Sequence, residues 1–360
     1  MLSTIISLLL LGLLVIVHEA GHFFIARRAG VRILRFSMGF GPTLFSWTRG
    51  YTEYAVSAIP LGGYVKMAGE QREEAAREPW EYLSKPLGTR AKIIFAGPCV
   101  NYLVGFLSLW AVFIIGYPEL LPVVGKVVEG MPAQAAGLAP GDRVESINAQ
   151  DIRSWDAMTK LIYAAPDRPL AFVITRGATR RAVTMTPQPK TTTDPFGRAK
   201  TIGLIGISPS GAFESTRVGP VAAIGRTLQK QGEWTSQTLL SFWFLFTGKL
   251  SLRDSVTGPI GIIYLTSEAV QMGIVPLLFL ISLFSLSLAI FNLFPLPILD
   301  GGHLFFLAVE KLRGKPVSLG MQERAAQVSF VLLMALVLVI CINDVNRFGL
   351  LEKLGGWIRR

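Results

Sequence analysis

The chain has 360 residues, of which 51% are hydrophobic and only 16% are charged, and its mean hydropathy is +0.47. This composition excludes an ordinary soluble protein and indicates a membrane protein that carries some soluble mass. The net charge of +11 does not indicate a nucleic-acid partner, because the basic residues cluster beside apolar segments, where they meet anionic lipid headgroups and set the topology.

The first apolar run ends in a zinc-hydrolase motif. Residues 5–17 carry no charge, and the sequence HEAGH follows, with His18, Glu19 and His22. The run lacks a basic N-terminal region, and the motif stands where a cleavage site would be, so we expect a mature span and not a signal peptide. On a helix, H-E-x-x-H puts two imidazoles on one face, where both can bind one Zn²⁺ while the Glu acts as general base.

Four apolar segments have close to the ~20 residues that cross a hydrocarbon core. They are about 1–25, 94–117, 274–293 and 326–343. Basic residues concentrate between the first two spans and after the third, which predicts that residues 27–92 and 294–325 are cytoplasmic. Residues 118–273 and both termini then lie on the opposite, extracytoplasmic side of the membrane. Cys99 and Cys341 lie in apolar runs, so we expect packing residues and not a disulfide.

Residues 37–68 do not have a helical pattern. Glycines and prolines separate short β-type runs such as Tyr54–Ile59. The simpler interpretation is a surface hairpin. The functional one is a re-entrant β-hairpin beside the active site, tolerated at membrane depth only where protein or a watery cavity surrounds it. In that case we expect Val56, Ala58 and Ile59 to bind the substrate as an added strand.

Residues 120–211 have the pattern of a soluble module. β-type alternation is followed by a short small-residue helix, the Gly141-Asp142 turn and another strand, and this order resembles a PDZ domain. The stretch that resembles a peptide-binding strand consists of Gly203, Leu204, Ile205, Gly206 and Ile207. Such a groove captures an extended peptide or a C-terminus, but a rigid module that only blocks access is an equal alternative. Residues 215–272 are predicted to form interfacial amphipathic helices.

The end of the third span supplies the second half of the candidate site. Asp300 is a carboxylate in an apolar environment, where an unpaired charge is costly, so we predict that it is the third metal ligand. His303 is the competing ligand. Asn292 is predicted to contact the substrate backbone or the oxyanion, with an inter-helix hydrogen bond as the alternative. Pro295 and Pro297 break the helix, so this substrate-binding segment can bend towards the metal.

These motifs together resemble the bacterial site-2 proteases, of the type that regulates sigma-E. The similar segments are HEAGH, GFGP, PLGGYVKM, the PDZ module, TGPIGI and NLFPLPILDGGH. The resemblance implies intramembrane proteolysis with one zinc ion on His18, His22 and Asp300 and with Glu19 as base. It also implies an extracytoplasmic PDZ domain and, as substrates, pre-trimmed anti-sigma factors or remnant signal peptides. The family's best-known members carry tandem PDZ domains, whereas this chain has room for one.

The sequence therefore predicts a polytopic α-helical membrane protein with four transmembrane helices, a membrane-associated β-hairpin and an inserted PDZ domain of α+β type. The expected divisions are the two halves of a membrane core, residues 1–117 and 274–345, and a C-terminal tail, residues 346–360. Two alternatives to the intramembrane protease remain. One is a membrane-anchored zinc peptidase for soluble substrates. The other is a non-catalytic PDZ scaffold, although a structural zinc site normally has four protein ligands.

Overall fold

A computed structural model describes residues 2–71, 76, 78–193, 199–250 and 257–347. Most of the predicted C-terminal tail lies outside these described residues. The chain forms two compact units. The first comprises Met1–Val112, Ile224–Leu239 and Leu250–Arg360, and the second comprises Phe113–Ala223 and Leu240–Lys249.

The first unit begins with two long helices and the β-structure between them. Helix α1 is Leu2–Arg28, strands β1 and β2 are Ile33–Arg49 and Thr52–Met67, and helix α2 is Leu87–Ile115. The two helices cross closely, because a Cβ added at Gly21 of α1 would lie 2.6 Å from the Ala96 carbonyl oxygen of α2. Only glycine permits this approach. It brings the second half of the HEAGH motif directly against α2.

Strands β1 and β2 each fold back on themselves to give four paired segments, in which residues 35–38 run in the same direction as residues 53–56. Phe36 pairs with both Val65 and Tyr54, so residues 35–38 lie between residues 63–66 and residues 53–56. Residues 43–49 pair with the far side of the 52–57 segment. The segment that contains Val65 is therefore one edge of the sheet.

This sheet lies along α1. A Cβ at Gly12 of α1 would lie 2.2 Å from the Pro60 carbonyl oxygen, and one at Gly63 of β2 would lie 3.7 Å from Cγ of Glu19. A buried cluster that includes Phe23 of α1, Phe36 of β1 and Ile93 of α2 joins the three elements. The β-region is thus packed beside the helix that carries the motif.

The second unit contains residues 120–211, the segment predicted to be a PDZ domain. Its strands are β3 Tyr117–Leu120, β4 Val124–Val127, β5 Arg143–Ile147, β6 Gln150–Asp151, β7 Leu170–Arg176, β8 Thr179–Met185, β9 Gln188–Thr193, β10 Ala199–Leu204, β11 Ile207–Pro209 and β12 Phe213–Thr216. Its short helices are α3 Pro132–Ala135 and α4 Trp155–Tyr163. The largest sheet has the order β6-β5-β7-β8. Phe172, Ile147 and Met158 are fully buried between this sheet and α4.

The residues of the predicted peptide groove lie in two different sheets. Gly203 and Leu204 end β10 and pair with β9. The carbonyl oxygen of Ile205 accepts a hydrogen bond from Ala133 (2.9 Å), that of Gly206 accepts one from Val128 (2.8 Å), and Ile207 pairs within the β4–β11 sheet. Strands β11 and β4 form a two-stranded sheet, so β11 pairs on one side only within that sheet, and the peptide-binding role of the whole stretch stays a prediction.

A buried carboxylate stabilises the turn after α3. Asp142 is 0% exposed and accepts two hydrogen bonds from the Arg176 side chain, at 2.7 and 2.8 Å, and one from the Ala139 amide, at 2.8 Å. The Arg176 guanidinium holds the pKa of this carboxyl below its ordinary value of 3.8. Its contribution to stability is therefore full above pH 3.8 and is lost as the pH falls through the lowered pKa.

We therefore expect Asp142→Asn to destabilise this domain at neutral pH, because the buried charge-assisted bonds to Arg176 are lost. Hydrogen exchange of the full chain should show faster exchange in β5 and β7 of the variant than in the wild type. The difference should shrink as the pH is lowered through the Asp142 pKa, because the wild-type carboxylate is then protonated. A difference that stays constant with pH would contradict this role.

The remaining helices are α5 Pro220–Phe246, α6 Pro259–Met272, α7 Ile274–Asn292, α8 Asp300–Arg313 and α9 Leu319–Arg347. In the first unit, the buried Asp344 carboxylate of α9 accepts hydrogen bonds from Gly258 (3.2 Å) and Gly261 (2.9 Å) at the start of α6. This caps α6, where negative charge is favoured. The interfacial position expected for residues 215–272 stays a prediction.

Four helices in the described part of the chain are long and apolar enough to cross a membrane: Thr4–Arg28, Leu87–Ile115, Ile274–Asn292 and Leu319–Asn346. The second and fourth of these helices begin several residues before the apolar segments that the sequence predicts as spans. A helix satisfies its own backbone hydrogen bonds, so it continues past the hydrocarbon boundary into polar residues such as Arg90.

Candidate metal centre

Three predicted ligands lie together in the first unit. The Nε2 atoms of His18 and His22 are 3.2 Å apart, and Oδ2 of Asp300 lies 3.0 Å from the first and 3.4 Å from the second. Both imidazoles are on α1 and nearly fully buried, and the carboxylate is at the first residue of α8. A motif at the N-terminus and a residue almost 300 positions later therefore meet at one point.

The dimensions of this group fit a zinc ion. A tetrahedral zinc site with bonds of about 2.0–2.1 Å places its ligand atoms about 3.3 Å apart, close to the three observed separations. Burial alone would raise the pKa of the Asp300 carboxyl, but the two imidazoles against it lower that pKa to about 2, so it is ionised at neutral pH. Its Oδ2 is buried without a hydrogen bond among the described residues. The converging lone pairs and this orphaned oxygen fit a cation.

Residues of helix α2 contact the Nδ1 atom of both imidazoles. The His22 Nδ1–H group donates to the Ile93 carbonyl oxygen (2.8 Å), and the Asn101 side chain lies 3.3 Å from Nδ1 of His18. Gly97 lies between these two positions, and a Cβ there would lie 2.3 Å from Nε2 of His22. The sequence reasoning did not identify Asn101 or Gly97.

Glu19 faces the sheet edge next to the candidate metal ligands. The Val65 backbone hydrogen-bonds the Glu19 carboxylate. A cavity of about 270 Å³ adjoins the group, and Glu19, His22, Asp300 and His303 all line it. Water can therefore reach both the ligands and the candidate base.

The competing ligand His303 lies one turn further along α8. It shares the cavity, but the group of side chains that could hold a metal among the described residues consists of His18, His22 and Asp300. Burial lowers the pKa of the His303 imidazole, so it is neutral at neutral pH. The geometry favours Asp300 over His303 as third ligand.

The other predicted substrate contacts lie around the loop before α8. Asn292 is the last residue of α7 and is half-buried. Pro295 lines an apolar cavity together with Phe95 of α2, and Pro297 lines a groove beside the start of α9. Their roles stay predictions.

The sheet register corrects the prediction for Val56. This residue pairs with Met38 on one side and with Phe45 on the other, so its segment is an inner one and has no edge at which a substrate strand could be added. Ile59 pairs with Phe40, and Ala58 lies between these pairs. The segment whose edge faces Glu19 is residues 63–65.

A buried ion pair fixes α8 to α2. The Arg90 guanidinium contacts both oxygens of the Glu310 carboxylate, at 2.6 and 3.3 Å, and the two side chains are 9% and 17% exposed. Arg90 lies two turns before Gly97 of α2, and Glu310 lies on the helix that begins with Asp300. The pair therefore fixes the element that carries the third ligand relative to the element behind the imidazoles.

Removing one partner of this pair should be costly. We expect Arg90→Leu to destabilise the protein by about 3–5 kcal/mol, because the Glu310 carboxylate is left buried and unpaired. The double variant Arg90→Leu/Glu310→Leu should recover most of that loss. Thermal unfolding in detergent measures both, with Asp156→Ala at the exposed Asp156–Lys160 pair as a control of little expected effect. A double variant as unstable as the single one would show that the charge pairing does not matter.

Comparison with known proteins places this geometry in context. The model of peptidase family M50 matches residues 6–336. A putative zinc metalloprotease of Rhizobium meliloti is 36% identical and aligns over 94% of this chain and 95% of its own length. Zinc metalloprotease RasP of Geobacillus kaustophilus is 32% identical, over 97% and 99%. Regulator of sigma-E protease RseP of Escherichia coli is 31% identical, over 94% and 97%.

Proposed function

Because the chain belongs to peptidase family M50 and is a zinc metalloprotease, we propose that it hydrolyses peptide bonds inside membrane-spanning segments of other proteins. The single observation that carries this proposal is the position of His18 and His22. Both lie within a helix long and apolar enough to cross a membrane, and Asp300 lies within 3.4 Å of both. A hydrolytic site built on such a helix acts on bonds that lie at membrane depth.

We propose that His18, His22 and Asp300 hold one zinc ion per chain. A zinc ion there would lower the pKa of a water molecule to about 7 and polarise the scissile carbonyl. Glu19 accepts the proton of the attacking water and then delivers it to the leaving nitrogen. The Asn292 amide donates to the carbonyl oxygen as negative charge develops on it.

We propose that the substrate is bound as a strand at the sheet edge of residues 63–65. A helical substrate hides its carbonyl groups in i to i−4 hydrogen bonds, so it must be locally unwound before it can be cut. Pairing with a sheet edge replaces those bonds. The edge near Gly63 supports this role, because Gly63 and Val65 lie directly against Glu19.

The proposed substrates are single-pass membrane proteins of two kinds. One kind is an anti-sigma factor already trimmed by another protease, which the names of the sigma-E-regulating relatives support. The other kind is the remnant signal peptide. The protein is proposed to be a multi-pass protein of a bacterial inner membrane, with the PDZ domain on the periplasmic side. There the domain would bind a peptide or C-terminus of the incoming substrate.

Cleavage of a reconstituted substrate tests this function. A single-span peptide with Gly or Pro near its centre is incorporated into vesicles with the protein, and the products are mapped by mass spectrometry. We expect a cut inside the apolar span that a zinc chelator abolishes. A matched peptide with a poly-Leu span should be cut much more slowly, because it resists unwinding. A cut only in a water-exposed loop would instead favour a membrane-anchored peptidase for soluble substrates.

A further inference from the structure

The buried amide of Asn101 is not explained by the proposed chemistry. Asn101 is 0% exposed in the middle of α2, and its Nδ2 atom lies 3.3 Å from Nδ1 of His18. Its Oδ1 atom is buried and has no hydrogen-bond partner among the described residues. An unsatisfied amide oxygen inside an apolar helix is costly and requires an explanation.

The tautomer of His18 supplies that explanation. Nε2 of His18 points at Asp300 and His22, so it is the atom that would bind a metal. A metal-bound neutral imidazole carries its proton on the other nitrogen, and Nδ1 is then a hydrogen-bond donor. A donor needs an acceptor, and the orientation with Nδ2 towards Nδ1 offers only a second donor.

Turning the Asn101 amide by 180° resolves both conflicts. The oxygen and nitrogen of an asparagine amide are distinguished by their hydrogen bonds and not by shape. After the turn, Oδ1 accepts the His18 Nδ1–H bond and is no longer orphaned. We propose that Asn101 is a positioning residue, which fixes the tautomer and the ring orientation of His18 by accepting this hydrogen bond.

The second imidazole is held in the same way. The His22 Nδ1–H group donates to the Ile93 carbonyl oxygen at 2.8 Å. Asn101 lies eight residues further along α2, about two helical turns away, on the same side of the helix. Helix α2 therefore offers one acceptor to each ring, a backbone carbonyl for His22 and a side-chain amide for His18. Only the second acceptor can be changed by mutation.

Three substitutions at this position test the proposal, which rests on the zinc site proposed above. Asn101→Asp keeps an acceptor of the same shape, whereas Asn101→Leu keeps the size but removes it. Asn101→Ala removes the acceptor without adding bulk, in case the leucine prevents folding. Zinc affinity of the purified full chain is measured by competition with a chelator. The visible spectrum of the Co²⁺-loaded protein reports the ligand geometry.

We expect Leu and Ala to weaken zinc binding by about 10–100-fold, the usual effect of losing such an outer partner. Asp should retain affinity within a few-fold and keep the Co²⁺ spectrum of the wild type. Leu and Ala variants that bind zinc as tightly as the wild type would overturn the proposal, and so would an Asp variant as weak as the Leu variant. Absence of zinc from the wild-type protein would instead overturn the metal site itself.

Discussion

Replacing Glu19 with Gln should reduce peptide cleavage by about 10²–10⁴-fold, the usual contribution of a general acid–base residue. The amide has the shape of the carboxylate but cannot accept the proton of the attacking water. Zinc content should stay unchanged, because the ligands proposed here are His18, His22 and Asp300 and not Glu19. Mass-spectrometric cleavage rates in vesicles, together with metal analysis of the same sample, measure both quantities.

Glu70→Gln is the matched control for this variant. Glu70 lines the same cavity, and its Oε2 accepts a hydrogen bond from the Met67 amide at 3.2 Å, which a glutamine oxygen can also accept. We expect cleavage close to the wild-type rate. If Glu19→Gln retained wild-type cleavage, Glu19 would not be the base. If the Glu19→Gln variant kept its function in the cell without cleaving any substrate, the non-catalytic scaffold would be supported instead.

The second large effect is expected at Gly97, which has no side chain and therefore no functional group of its own. A Cβ at Gly97 would lie 2.3 Å from Nε2 of His22 and 2.8 Å from Cε1 of His18. These atoms belong to side chains that can turn aside, so we expect Gly97→Ala to fold. The displaced imidazoles, however, no longer converge with Asp300, so zinc content and cleavage should both be lost.

Gly88→Ala provides a control on the same helix. A Cβ at Gly88 has no neighbour within 4 Å, so this variant should bind zinc and cleave substrate as the wild type does. The thermal unfolding temperatures of the zinc-free forms show whether the two variants differ in the stability of their folded state. A Gly97→Ala variant that retained zinc would show that α2 does not pack against the imidazoles as described.

The sequence allowed prediction of the three residues that meet in the candidate metal centre, because each carries a strong local signal. In HEAGH the two His residues are four positions apart, a spacing that places both imidazoles on one face of a helix. Asp300 is a carboxylate in an apolar stretch. The same cost argument applies to Asn101, which is a lone amide in the second span. The relevant signal was thus present in the sequence.

Other features could not be predicted from local patterns. Gly97 matters only because α1 and α2 cross at Gly21, and a helix crossing is a property of two distant segments. The order of the four sheet segments depends on where β1 and β2 fold back, and alternation alone does not specify register. For this reason the alternation pattern indicates Val56, which lies inside the sheet, and does not indicate residues 63–65, the edge at which we propose that the substrate binds.

The identity of the third ligand tests the account most directly. Zinc is measured in the purified wild-type chain and in the Asp300→Ala and His303→Ala variants, all dialysed against the same weak chelator. We expect about one zinc per wild-type chain, loss of zinc from Asp300→Ala and retention in His303→Ala, because three protein ligands and one open position define a hydrolytic zinc site. Retention of zinc by Asp300→Ala together with its loss from His303→Ala would contradict the metal centre described here.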